Sequence, residues 1–183
     1  MPLLMRKAKQ NKNKDGSRLY AEPISLAGQV YLFGGGHVAQ AVAPLLHSVG
    51  FRYTLFEERE QFALPELFPD AERIVLSGFD DIAKEVSVTE NDFVLIMTRG
   101  HQNDYILQVQ VLKTPACYVG VIGSAAKYKR LCERLAEDGF SQKDIDRVIT
   151  PVGLPIKAET PAEIAVSIVA QMIQVRAERF DEK

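Results

Sequence analysis

Apolar positions along this chain fall into two kinds of block, and the blocks alternate. Short runs in which nearly every residue is apolar predict five strands buried on both faces: "QVYLF" (29–33), "RYTLFE" (52–57), "RIVLS" (73–77), "DFVLIMT" (92–98) and "ACYVGVIG" (116–123). Helical spacing occupies the stretches between and after them. It covers "VAQAVAPLLHSVG" (38–50), stopped by Gly50, then "DIAKEVS" (81–87), "NDYILQVQVLKT" (103–114) and "AAKYKRLCERLAEDG" (125–139), closed by Asp138-Gly139. A loop with a short helix, "REQFALPELFPD", precedes the third strand, and "SQKDIDRVI" (141–149) is a short segment opened by a Ser-x-x-Asp cap. The last helix starts with Thr160 as N-cap, Pro161 at its first position and Glu163 closing a capping box. Its Ile164, Ile168, Met172 and Ala165, Val169, Ile173 recur at i, i+4, so it packs rather than trails. Pro44 inside the first helix predicts a kink, at about 3 kcal/mol if uncompensated.

Strands alternating with helices, each strand apolar throughout, predict an α/β fold. Its form is a doubly wound, mostly parallel sheet (Rossmann-like) with helices on both faces. No repeat of fixed period is present. The expected organisation is a basic disordered tail over 1–18, one domain over 19–178 that begins with the extended lead-in "YAEPISLAGQ", and a short tail over 179–183.

Composition narrows the function classes. The chain has 183 residues, 46% hydrophobic and 25% charged, enough for one domain with a sizeable core. A formal net charge of −2 provides no field to draw in nucleic acid or a membrane surface, and neither is expected as a partner. No apolar run approaches the roughly 18–20 residues of a membrane span. The N-terminus lacks the apolar core of a secretory signal, so the expected location is the cytoplasm. Cys117 and Cys132 have no neighbouring ligand cluster and read as buried apolar residues.

The stretch "VYLFGGGHVAQAV" carries the first chemistry. Gly34, Gly36 and Ala39 supply a G-x-G-x-x-A spacing, with Gly35 between the first two glycines and His37 opening the helix. Gly34 permits the tight turn, Gly36 leaves room for a pyrophosphate, and Ala39 lets helix and sheet approach. The helix N-terminus offers unpaired N–H groups and a positive dipole end to phosphate. Glu57 ends the second strand and is placed to accept a hydrogen bond from a ribose 2′-hydroxyl, disfavouring a 2′-phosphate; Glu58 beside it reads as solvated. NAD(H) is the cofactor this pattern predicts.

With strand order 3-2-1-4-5, the loops after strands one, four and five meet at the switch point. That brings His37, Thr98, Arg99, His101, Asp104, Gly123 and Ser124 together. His101 and Asp104, three apart at a helix start, are candidate catalytic acid/base residues. Arg99 suits a phosphate or carboxylate, and Ser124 with Lys127 forms a second candidate anion site. His37 and His101 with one carboxylate are too few to predict a metal site. His47, mid-helix, is explained by packing.

These residues carry a resemblance. The stretches "VYLFGGGHVAQAVAPLLHSVGF", "FEERE", "MTRGHQND", "YVGVIGSAAKYKRL" and "TPVGLPIKAETPAEIAVSIVAQMI" resemble the C-terminal Rossmann domain of the XdhC/CoxI family, from about Glu22 to Arg176. That family comprises accessory proteins for xanthine dehydrogenase and related molybdenum hydroxylases. The resemblance implies a maturation factor that handles the molybdenum cofactor, or supports its sulfuration, for a hydroxylase apoenzyme. Full-length members carry an N-terminal domain with a cysteine motif that has no counterpart here, which implies a separate partner bearing such a domain, or a nucleotide-binding role alone. Where the family usually has Asp at the end of strand two, this chain has Glu57. A homodimer is expected. Two other functions fit the same residues: an NAD(H)-dependent oxidoreductase acting on a small or tetrapyrrole-like substrate, and a nucleotide-sensing binding module.

Overall fold

The computed structural model describes residues 28–181 and, in backbone alone, Leu3–Met5, Lys9–Lys12, Arg18–Ala21 and Ile24–Leu26; the side chains of His101, residues 125–127 and residues 180–181 lie outside the described residues. Six strands form one parallel sheet: β1 (Gln29–Phe33), β2 (Arg52–Glu57), β3 (Arg73–Leu76), β4 (Phe93–Ile96), β5 (Tyr118–Val121) and β6 (Val148–Ile149). Their order is β6-β5-β4-β1-β2-β3. β1 pairs in parallel with both β2 and β4, so the order of strands runs outward in opposite directions on either side of it. The switch point therefore lies at the C-terminal end of β1, as the alternation of blocks predicts.

Alternate residues of each strand point to opposite faces, and both faces are apolar. Leu32, Leu55 and Leu95 pack under α1 (His37–Ser48) and α5 (Pro161–Asp181), against Val42, Leu46, Ile168 and Met172. Their neighbours Phe33, Phe56 and Ile96 join the opposite core with Leu107 and Val111 of α2 (His101–Val111) and Leu135 of α3 (Ala125–Glu137). Burying one such side chain contributes roughly 1.5–3 kcal/mol, so the two layers dominate the fold's stability.

Several local expectations change. The segment 141–149 divides into α4 (Gln142–Ile145), started by a full Ser141/Asp144 capping box, and the two-residue strand β6 beside β5. Over 81–87 only a single turn forms, Ile82–Lys84. Ile82 is its one buried residue, so too little apolar contact offsets the cost of a longer helix. α1 runs on through Pro44, which faces solvent. α5 extends through Asp181, past the expected end at 178, and its Thr160/Glu163 capping box is present: Glu163 N–H donates to Thr160 Oγ1 at 3.3 Å, and Thr160 N–H to Glu163 Oε2 at 2.9 Å. Within the segment expected as a tail, Leu3–Met5 and Lys9–Lys12 pair antiparallel with Ile24–Leu26 and Arg18–Ala21, in ladders separate from the main sheet; the remainder of 1–18 lies outside the described residues.

Candidate functional site

Three consecutive glycines leave β1, and each meets a different constraint. Gly34 adopts φ +99°, and a Cβ there would overlap the Met97 carbonyl oxygen and come within 2.9 Å of Thr98 Cα. The turn after β1 thus lies directly on the end of β4. Gly35 is closed in by the loop after β2, since a Cβ would overlap the Phe62 carbonyl oxygen. Gly36 differs from both. Its backbone is extended (φ −69°, ψ −178°), which any residue adopts, and apart from its chain neighbours no heavy atom of the described residues lies within 4 Å of where its Cβ would stand. Packing of the described residues does not require glycine there; the space in front of it is open.

Gly36 is also the N-cap of α1 and gives no side-chain cap to the helix. The first-turn N–H groups and the positive end of the helix dipole face that opening. Ala39, 1% exposed, seats the helix against the sheet, and His37 stands exposed at its start.

The acid ending β2 is engaged differently from the sequence expectation. Glu57 is 1% exposed, and both its oxygens are occupied. Oε2 accepts from Gly35 N–H (2.7 Å) and Arg59 Nη2 (2.8 Å); Oε1 accepts from Glu58 N–H (2.9 Å), Arg59 N–H (3.0 Å) and Arg59 Nε (2.9 Å). Burial by itself would raise the Glu57 pKa. The Arg59 guanidinium and the Gly35 and Arg59 N–H groups outweigh it and hold the carboxyl below its ordinary value. Arg59 also lies over the Phe62 ring, 4.1 Å from its centroid. Glu57 therefore braces the glycine turn and has little acceptor capacity left for a ribose. The accessible acid is Glu58, whose Oε1 accepts from Asn103 Nδ2 at 2.9 Å and so ties the β2 loop to the first turn of α2 across β1.

On the β4 side, Thr98 Oγ1 donates to Asp104 Oδ1 at 2.6 Å, and Asp104 is buried on α2. Arg99 is exposed in the intervening loop, and Gly100 caps α2 at φ +104°. His101 is the first residue of α2, but its side chain lies outside the described residues. After β5, Gly123 lies beside Thr150, where a Cβ would approach Thr150 Oγ1 to 3.1 Å. Ser124, exposed, is the N-cap of α3 without a side-chain cap bond; the side chain of Lys127 in the next turn lies outside the described residues.

Contacts therefore join Gly34, Thr98 and Asp104 directly. Arg59, Asn103 and Thr150 are the residues of this region that sequence reasoning missed. Arg59 alone had a local signal, since residues two apart on extended backbone share a side. Among the described residues no cluster of three or more His, Cys, Asp or Glu is arranged to hold a metal, and no helix is long and apolar enough to cross a membrane.

A six-stranded parallel sheet in this order, with a glycine turn and an uncapped helix at the switch point, defines a Rossmann-type domain. More narrowly, the chain belongs to the XdhC Rossmann domain family, which it matches over residues 30–172. It is 30% identical over 149 residues to the Escherichia coli protein YqeB, covering 81% of this chain and 27% of that one. It is 28% identical over 160 residues to a probable xanthine dehydrogenase subunit of Bacillus subtilis, covering 87% of this chain and 46% of the relative. The fold matches the crystal structure of a xanthine dehydrogenase from Bacillus halodurans at a TM-score of 0.74 and 26% identity, over 93% of this chain and 59% of the other. The chain thus spans less than two thirds of each of these relatives.

Proposed function

We propose that this chain is an accessory factor in the maturation of a molybdenum hydroxylase of the xanthine dehydrogenase type, and that it binds a dinucleotide, NAD(H), at the glycine turn. The observation that carries the nucleotide reading is Gly36, a glycine that neither backbone conformation nor the packing of the described residues requires, at the open N-terminus of α1. A phosphate approaching there meets helix N–H groups at a distance that a side chain would prevent. Family membership and the names of the relatives support the hydroxylase reading.

The same cradle suits any phosphate ester, including the phosphate of the molybdenum cofactor, which would supply the redox chemistry of the hydroxylase and not of this chain. What the chain's own residues do is bind and orient: α1 holds phosphate, Glu57 and Arg59 keep the turn rigid, and Glu58 faces the ribose. Partners in this reading are the hydroxylase apoenzyme or a separate protein bearing the family's N-terminal domain. The chain acts as a homodimer in the cytoplasm.

The test is genetic and biochemical together. In a strain lacking the chain, hydroxylase protein should accumulate without activity. Wild-type chain should restore that activity and Gly36→Ala should not. Fully active hydroxylase in the deletion strain would remove the maturation reading, and NADH-dependent reduction of a small substrate by the purified chain would favour an oxidoreductase.

A further inference from the structure

The net charge of −2 conceals two blocks of opposite sign. Residues 1–22 carry six Lys or Arg against two Asp or Glu, whereas residues 57–92 carry three against eleven. The acidic block contains β3, which ends the sheet and among the described residues pairs only with β2. Its Glu60, Glu66 and Asp80 are exposed and form no ion pair among the described residues. Leu64 and Leu76, 39% and 54% exposed, belong to the same block, so it offers apolar as well as charged surface.

The basic block has the complementary need. Its backbone forms ladders of three and four residue pairs, Leu3–Met5 with Ile24–Leu26 and Lys9–Lys12 with Arg18–Ala21, outside the main sheet. Two-stranded ladders of this length are marginal in water without a surface to pack on. The register adds a cost, because it sets Lys12 directly opposite Arg18 and like charges so placed destabilise a ladder. Leu19 and Tyr20, neighbours in sequence, fall on opposite faces, so neither face is wholly polar. A contact that stabilises this ribbon therefore brings negative charge together with apolar surface.

The β3 edge supplies both, but at the opposite end of the sheet. Glu60 and Asp80 follow β2 and β3, at the C-terminal end of the parallel strands, whereas the ribbon joins at the N-terminal end of β1, with two residues separating Leu26 from Gln29. β2 also stands between β1 and β3. A copy related by a two-fold axis presents its β3 edge free of that obstacle, and the exchange is then reciprocal.

We propose that the N-terminal ribbon is a docking arm that packs on the acidic β3 edge of a second copy, and that two such contacts hold the homodimer together. The inference rests on the homodimer of the reading above and names its contact. Nucleic acid, the other common partner of a basic arm, is opposed by the eleven acids of residues 57–92.

Sedimentation equilibrium of the full chain measures the contact. Wild type should be dimeric, with a dimer Kd that rises about tenfold between about 50 mM and about 500 mM NaCl. Lys9→Glu/Lys12→Glu/Arg18→Glu in the arm and Glu60→Lys/Glu66→Lys/Asp80→Lys at the edge should each give monomers with Tm unchanged. Mixed in equal amounts, the two variants should form dimers again, because each arm then meets an edge of opposite sign. Dimers insensitive to salt and to both variants would overturn the arm and leave the homodimer standing, and a monomeric wild type would remove both. Failure of the mixture to dimerise would place the arm on its own chain. Dimers intact in the arm variant, with binding of a short duplex DNA lost, would make the arm a nucleic-acid contact. Either result overturns the proposal.

Discussion

Replacing Glu57 by glutamine keeps the shape of the side chain and removes its charge. The carboxylate accepts from three backbone N–H groups, those of Gly35, Glu58 and Arg59, and from two guanidinium nitrogens of Arg59. An amide has one oxygen, so its NH₂ must face donors on the other side. Arg59, whose side chain is 21% exposed, would lose its counter-charge. Breaking one member of a buried pair costs about 3–5 kcal/mol. For a domain of this size that lowers Tm by roughly 6–20 °C. Urea unfolding at pH 7 measures the loss directly.

The same carboxylate sets a pH dependence of definite sign. Its folded pKa is depressed below the ordinary value of 4.5. Its contribution is therefore complete above that value and is lost as pH falls through the lower folded pKa. The wild-type stability curve should drop below about pH 4.5 more steeply than that of Glu57→Gln. A Glu57→Gln loss under about 1 kcal/mol, or parallel acid limbs in the two proteins, would refute the clamp.

Other substitutions test neighbouring parts. Gly34→Ala should cost about 3 kcal/mol or more, since a positive φ and an overlap with the Met97 carbonyl act together, whereas Gly36→Ala should stay within about 0.5 kcal/mol; urea unfolding of the pair compares them. Tyr53→Phe removes a buried hydroxyl without a partner among the described residues, and stability should hold or rise by up to about 1 kcal/mol in the same assay. Glu58→Gln removes the accessible negative charge at the end of β2, so the preference for NAD over NADP should narrow several-fold in a binding titration, and an unchanged ratio would return the ribose role to Glu57.

The parts of this molecule legible in its sequence are those written locally. β1, β2, β4 and β5 show as apolar runs because both faces of the sheet are covered, and the Thr160 and Ser141 caps show because a cap is a four-residue pattern. Strand β6 escaped because two residues carry no periodicity, and its place depends on pairing with β5. The position of Glu57 was legible, but its role was not. An acid at a strand end is the same letter whether it faces a ribose or bends back to Gly35, and the turn at Arg59 decides which. Glu58 and Asn103 meet across 45 positions, a separation that no local pattern encodes.

Calorimetric titration of the purified chain with ADP-ribose, beside Gly36→Ala, asks whether the N-terminus of α1 binds phosphate. Micromolar binding by the wild type is expected, lost in Gly36→Ala while its Tm stays unchanged, because the added methyl meets ligand and not protein. Absence of binding by the wild type, or equal binding by the variant, would contradict it and leave the glycine turn as an element of the fold alone.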